Sequence, residues 1–457
     1  MPLHEDSPAP ASLPLAAELI PRLSVAAFGA ANRASIKQEA SGIFLDCASG
    51  STPAGALLRS RAGTLPAGAS VTVKLETDAS GSFHFGTADA AREQLGEPLI
   101  LGTINPGTSS LLFPLPADLQ TEGWRFWVVS CPASSAKLAI RSIQLQPQQS
   151  RPTPHRALWV WEPSAWQKRP EALLKLLAEN AANTVFVTIT LTSGNSRVAE
   201  PAVLERFVTE ASKAGISVWA VVGDPLAVLP EGRRQYVDMA RAYAAYNRGA
   251  PPGARLAGLQ LDIEPYLNRG YHIDTEGWLS AYLETLSQVR AHATMPLDVA
   301  VPFWWGRQPY RDGMFLDHLR PLVEVVTVMN YRTERQQIMD FAEPFLAWGV
   351  RARKSIRIGL EAGPIPDESQ HIFRNSAQGD LWLVPLGTNA LMLSLNTPQA
   401  NPAGTAYHYS HTLDRKSNNI TFHQNIGTMR KLLPELENMW HAWPSFDGIA
   451  LHGLDID

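Results

Sequence analysis

Two carboxylates stand two residues apart at the end of an apolar run closed by a proline, Ala257-Gly-Leu-Gln-Leu-Asp-Ile-Glu-Pro265. In an extended chain alternate residues share a face, so Gln260, Asp262 and Glu264 point one way and Leu259, Leu261 and Ile263 the other. Polar groups on the inner face of a buried strand are costly unless they have partners or a task. Two carboxylates on one face raise each other's proton affinity, which keeps one protonated and able to donate to a leaving oxygen. A capped strand with satisfied structural carboxylates is the plainer alternative.

The surrounding pattern says what would position this pair. From residue 156 onward, β-branched and apolar runs alternate with amphipathic stretches, the pattern of a parallel sheet covered by helices. Eight strand candidates fall at 157–162, 183–190, 217–223, 256–264, 296–303, 324–331, 355–361 and 446–452. Helical stretches include 169–182, 202–214, 232–246 and 275–293, and 421–442 is expected as the helix before strand eight. This is the size and rhythm of an α/β (β/α)8 TIM barrel spanning 156–457. Residues 365–418 interrupt it with runs that read as short extra strands (381–386, 390–395, 406–410), an insertion after strand seven of the kind that builds a cleft wall.

Upstream, residues 24–148 carry alternating runs separated by Gly, Pro and Ser clusters, the spacing of an all-β, jelly-roll-like sandwich. Trp124 and Trp127 lie inside an apolar strand there and are expected in its core. Residues 1–23 read as a disordered lead-in and 149–155 as a linker. The sandwich resembles carbohydrate-binding modules in pattern, and a purely structural sandwich fits equally.

Barrel active sites form at the C-terminal ends of the strands. Alternation places there Trp161 and Glu162 from strand one, Asp224 from strand three, Asp262 and Glu264 from strand four, and Trp304 and Trp305 from strand five. Strand six gives Met329 and Tyr331, strand seven Arg357, Gly359 and Glu361, and strand eight His452 followed by Asp455. Carboxylates ringed by aromatics suit glycoside cleavage, which needs an acid, a charge stabiliser and flat apolar faces for sugar rings.

Composition removes other classes. The net charge of −4 gives no basic face, so nucleic acid is not an expected partner. No apolar run approaches the ~20 residues of a membrane span. There is no His-rich ligand spacing, P-loop or dinucleotide glycine pattern, so neither metal nor cofactor is expected. Met1 to Ile20 lack the basic start and apolar stretch of a leader, which reads as a cytoplasmic chain or a mature form. The only cysteines, Cys47 and Cys131, are two buried thiols or one bridge, and a bridge implies an oxidising compartment.

On its strand-four motif the chain resembles the chitinase-like glycoside hydrolases of family 18, over roughly 155–457. Their signature D-G-x-D-x-D-x-E is matched at Gly258, Asp262 and Glu264, with Ala257 and Gln260 in place of two acids. Met329-Asn-Tyr331 matches the family's Met-x-Tyr, Arg332 stands where an Asp usually follows, and His452 stands at the usual strand-eight Trp. The resemblance implies that Glu264 is the general acid/base and that Asp262, helped by Tyr331, orients a substrate N-acetyl group acting as nucleophile. Substrate contacts are expected from Gln260, Asn330, Arg332, Glu361, His452, Trp161, Glu162, Asp224, Trp304 and Trp305. The implied activity is retaining hydrolysis of an amino-sugar-containing bacterial polysaccharide, in the periplasm or outside the cell.

Two rival readings keep the barrel. In a clan A glycosidase Glu264 would be the acid/base and Glu361 a covalent nucleophile, with the carboxyls about 5–5.5 Å apart. In a polysaccharide-binding protein the barrel would be inert. Sugar identity, linkage and oligomeric state are not readable from the sequence.

Overall fold

The computed structural model describes residues 12–60, 64–66, 68–115, 124–148, 155–268, 270–386 and 389–454. The chain divides into two compact units, one holding residues 154–433 and 447–457, the other residues 4–153 together with 434–446.

In the first unit eight parallel strands close into a barrel in chain order: His155–Val160, Thr184–Val187, Ser217–Val222, Gly258–Leu261, Leu297–Pro302, Val325–Met329, Ser355–Glu361 and Phe446–His452. Runs such as Thr184-Val-Phe-Val187 and Val325-Val-Thr-Val-Met329 are buried at every residue because both of their faces are covered. Four prolines start α-helices: Pro163, Pro170, Pro201 and Pro230 each occupy a first helical turn, where the missing N–H has no intrahelical partner to lose. Among the described residues no helix is long and apolar enough to cross a membrane.

Trp159, Phe186, Trp219 and Val221 fill the barrel interior. A Cβ on Gly258 would lie 2.2 Å from the Trp219 ring, so this position must be glycine for the indole to fit. Beside these rings runs a polar layer. Gln260 and Asp298 are in register on adjacent strands, as are Thr327 and Arg357. Gln260 and Thr327 donate to Asp298 at 2.8 and 2.7 Å, and Arg357 bridges Asp298 at 3.2 Å and Asp447 at 2.7 Å. Breaking such a buried pair from one side leaves an uncompensated charge and costs about 3–5 kcal/mol.

Six of the eight strands end one to three residues earlier than the sequence pattern implies, and for three of them this moves site residues off the strand. The fourth stops at Leu261, the sixth at Met329 and the first at Val160, so Asp262, Glu264, Tyr331 and Trp161 lie on the loops just past the barrel. Pro265 opens a short 3-10 turn directly after Glu264. The insertion after strand seven lies within the expected 365–418 and is a four-stranded antiparallel sheet, with one strand more, and longer strands, than the three short runs expected. It comprises Glu368–Ser376, Gly379–Leu386, Asn389–Gln399 and Thr405–Arg415, ordered first, fourth, second, third. Its first strand is polar and largely exposed and carries no apolar alternation to betray it.

The second unit holds two five-stranded antiparallel sheets. One runs Leu23–Gly29, Ala54–Ser60, Trp124–Ser130, Phe83–Asp89, Leu99–Ile104. The other runs Ala34–Glu39, Gly42–Cys47, Ala136–Pro147, Val71–Ala79, Ser110–Pro114. Cys47 and Cys131 form a disulfide across a separation of 84 residues. Trp127 is fully buried, and Trp124 is buried with its indole donating to Thr87 at 2.9 Å.

Two boundaries differ from expectation. Of the supposed disordered lead-in, residues 12–22 are ordered: Leu13, Leu15, Leu19 and Ile20 are buried, and the Glu18 carboxylate accepts from Ser142 and Ile143. Residues 1–11, the linker residues 149–154 and Asp455 lie outside the described residues. Residues 434–446, expected with the barrel, belong to the sandwich unit, where the Ser70 N–H donates to the Ala442 carbonyl at 2.8 Å.

Candidate active site

The loop after strand four presents both carboxylates. Asp262 is half-buried, its amide still held by the Val222 carbonyl of strand three at 2.8 Å, while its Oδ1 is buried without a hydrogen-bond partner among the described residues. Burial first, then the charges of Glu264 and Asp298, push the Asp262 carboxyl well above the usual carboxylate range. Burial also pushes Glu264 up, against a hydrogen bond from Tyr266 and the influence of His452, which pull it back. The pair is therefore held where a proton is retained more tightly than on ordinary carboxylates. Four phenols, Tyr236, Tyr266, Tyr282 and Tyr331, lie close enough to feel the Asp262 charge. Burial raises each of them, so each stays a hydroxyl donor rather than a phenolate.

Glu264 is half-buried, and the one hydrogen bond to its carboxylate among the described residues comes from the Tyr266 hydroxyl. Tyr266 was not anticipated. The signal lay in Pro265, which turns the chain so that the residue two beyond Glu264 comes back to it. The Tyr266 ring meets Trp304 edge-on at 5.0 Å, and Trp304 meets Phe303 at 5.1 Å. Phe303 stacks on Phe341 at 4.4 Å and carries the Arg332 guanidinium over its face at 4.4 Å. An aromatic wall thus runs from the acid to a cation. Burial and the neighbouring Arg415 pull Arg332 down to about 10.

Across the mouth, Tyr331 stacks on His452, with ring centroids 6.0 Å apart. The Trp161 indole donates to His452 Nε2 at 2.9 Å, and His452 Nδ1 lies 2.7 Å from Glu361 Oε2. The other Glu361 oxygen accepts the Gly363 N–H at 2.6 Å, leaving Glu361 buried with both oxygens committed. Gly453, at φ +71°, permits this: a Cβ there would lie 2.5 Å from Glu361 Oε1.

Asp262, Glu264, Tyr331, Trp161, His452, Glu361, Trp304 and Arg332 therefore surround the mouth. The remaining expected contacts do not. Gln260 is fully buried below the mouth and bonded to Trp159, Asp298 and Thr327. Asn330 is fully buried and donates to the Ile338 carbonyl at 2.7 Å. Trp305 is core, packed against Tyr282 at 5.2 Å and Phe315 at 4.7 Å. Asp224 is an exposed cap accepting the Leu226 amide at 2.7 Å, and Glu162 is exposed at the start of a helix it does not cap. In each case the side chain that alternation or position aimed at the cleft is buried among neighbouring chain or points to solvent. Asp298, by contrast, was missed, though it is the single inward acid of strand five beside inward Gln260 and Arg357.

No protein-family model matches the chain, and no curated protein matches it. Solved structures it resembles include the Clostridium thermocellum endo-1,4-beta-D-xylanase 10B CBM22-1–GH10 modules complexed with xylohexaose, at 10% identity over 78% of this chain and 82% of that one, with TM-score 0.30. The Bacillus cereus spore cortex-lytic enzyme SleL matches at 9% identity over 70% and 75%, with TM-score 0.37. A family 29 carbohydrate-binding module complexed with mannohexaose matches at 11% identity over 27% of this chain and 81% of its own, with TM-score 0.22. These superpositions are loose, and the functional reading rests on the residues above.

Proposed function

We propose that this chain is a retaining glycoside hydrolase acting on an amino-sugar-containing polysaccharide, with the substrate's N-acetyl group as nucleophile. The observation that carries the reading is the contrast between the carboxylates. Glu264 is reachable, has a raised proton affinity and keeps one phenol partner, whereas Glu361 is buried with both oxygens hydrogen-bonded. A nucleophile needs a lone pair facing the substrate, so the covalent two-Glu alternative is disfavoured.

In this reading protonated Glu264 donates to the glycosidic oxygen as the bond to the anomeric carbon breaks. The N-acetyl carbonyl oxygen bonds to that carbon. Asp262 accepts the amide N–H through its unpartnered Oδ1, and the Tyr331 hydroxyl donates to the acetyl oxygen. Glu264, now a carboxylate, takes a proton from water as water opens the cyclic intermediate. Two displacements at one carbon give retention. Among the described residues no cation forms a salt bridge with Glu264, which favours a working acid over an inert barrel. The disulfide suits an oxidising compartment, in keeping with a periplasmic or extracellular location and a polysaccharide substrate. The test is sugar release from a panel of N-acetylated polysaccharides by wild type and Glu264→Gln. Release by wild type that Glu264→Gln lacks supports the reading, and equal release by both overturns it.

A further inference from the structure

Resting on that reading, we infer that the substrate is acidic, and that Arg332 binds a carboxylate carried by a sugar seated along the Trp304–Phe303 wall. Arg332 is half-buried, yet the only hydrogen bond its guanidinium makes among the described residues is to the carbonyl of Tyr331, at 2.6 Å. It makes no ion pair with a carboxylate among those residues. Its guanidinium lies 4.4 Å from the Phe303 ring centroid and 5.6 Å from that of Phe341, so the plane is held by aromatic faces. A guanidinium anchored this way keeps most of its five N–H donors uncommitted, in the fork that fits a carboxylate bidentately.

Its place in the site says what that carboxylate belongs to. Arg332 follows Tyr331 directly, and Phe303 and Trp304 connect it to Tyr266 and so to Glu264. A second guanidinium, Arg415, ends the last strand of the inserted sheet opposite Glu368 and adds like charge to Arg332. A partly desolvated cation beside another cation is a costly arrangement for an apo protein. It is relieved when an anion arrives. Stacked aromatics beside it supply the apolar face for the ring that bears the anion. The lowered proton affinity of Arg332 agrees with this placement and leaves it charged at neutral pH.

The probe pair is the hexamer of N-acetylglucosamine and the same hexamer oxidised at C6 to uronates, which differ only in carboxylates. Affinities are measured by calorimetry on the full chain carrying Glu264→Gln, so that neither probe is consumed, and turnover of both is measured on wild type. The expected result is tighter binding of the oxidised hexamer by about 10- to 100-fold, the worth of a hydrogen-bonded charge pair. That ratio should fall to about one when Arg332→Gln is added and be only partly kept by Arg332→Lys, which preserves charge without the fork. Because the ratio compares two probes on one sample, a variant folding only in part still reports it. Equal binding of the two hexamers, binding of neither, or a preference that survives Arg332→Gln overturns the inference. So does saturation by acetate or sulfate ions with no preference between hexamers, which would make this a free-anion site. Turnover separates the two claims: a preference lost in Arg332→Gln without wild-type cleavage upholds the acidic-ligand site and sinks the hydrolase reading, and cleavage without preference does the reverse.

Discussion

The indole N–H of Trp161 donates to Nε2 of His452. An indole nitrogen can only donate, so Nε2 must be the acceptor and the imidazole proton must sit on Nδ1, facing Glu361. Both ring nitrogens of His452 are thereby committed, one to Trp161 and one to Glu361, so neither is free to act as a base toward the cleft, and a face of the ring is stacked on Tyr331. Its role is to hold Glu361 and Tyr331 in place.

His452→Ala removes one of the two donors to a buried carboxylate and should cost about 1–3 kcal/mol of stability. Denaturant unfolding of the full chain measures it. A loss below about 0.5 kcal/mol would mean that Glu361 is satisfied without the imidazole.

Tyr266→Phe deletes the hydrogen bond that restrains the Glu264 proton affinity. The acid must be protonated to act, so activity falls as pH rises through its pKa. Without the phenol that pKa rises further, and the alkaline limb of the kcat/KM profile should move to higher pH. The profile measured on a released-sugar assay checks the sign, and a limb displaced to lower pH would contradict the assigned contact.

Asp262→Asn should lower turnover at least ~100-fold, the scale of one lost electrostatic stabiliser. The same variant should gain stability relative to wild type as pH rises. A carboxyl whose folded pKa lies above its unfolded value of 3.8 binds more protons in the fold. Its contribution is fully present below that value and is lost as pH climbs through the folded pKa. The amide has no such loss, so the stability difference between variant and wild type should widen in the variant's favour from acid to neutral pH. Thermal unfolding at pH 4 and pH 8 decides it.

How far this site was legible in the sequence depends on what each residue's position reports. Strand alternation found the barrel because its strands are buried on both faces, and it aimed Asp262, Glu264 and Glu361 at one end. It failed for Gln260 because alternation gives the inward face but not the depth: Gln260 points inward below the mouth, onto Asp298 and Thr327, while Asn330, of opposite parity to the inward Thr327, donates to the Ile338 carbonyl of the covering helix Arg335–Ala352. Trp304 and Trp305 are neighbours on a 3-10 turn, so only one could line the cleft, and the other is core. Tyr266 and Phe303 escaped notice because they act through turn geometry, which no periodicity encodes. The polar edge strand Glu368–Ser376 had no apolar signal at all.

Removing the Cys47–Cys131 bridge, by Cys47→Ser with Cys131→Ser, should destabilise the sandwich unit by about 2–4 kcal/mol, since it closes a long loop. Thermal unfolding of oxidised and reduced chain reports it, and identical midpoints would mean that the sheets are held by packing alone.

The central claim is that the substrate's own N-acetyl group is the nucleophile and Glu264 its acid/base. Time-resolved NMR of first-formed products tests it most directly, using an N-acetylated oligosaccharide that wild type cleaves and its fully de-N-acetylated counterpart. The account predicts that the N-acetylated probe yields the retained anomer, that the de-N-acetylated one is not cleaved, and that Glu264→Gln is inactive on both. An inverted anomer, or comparable cleavage of the de-N-acetylated probe, would contradict it.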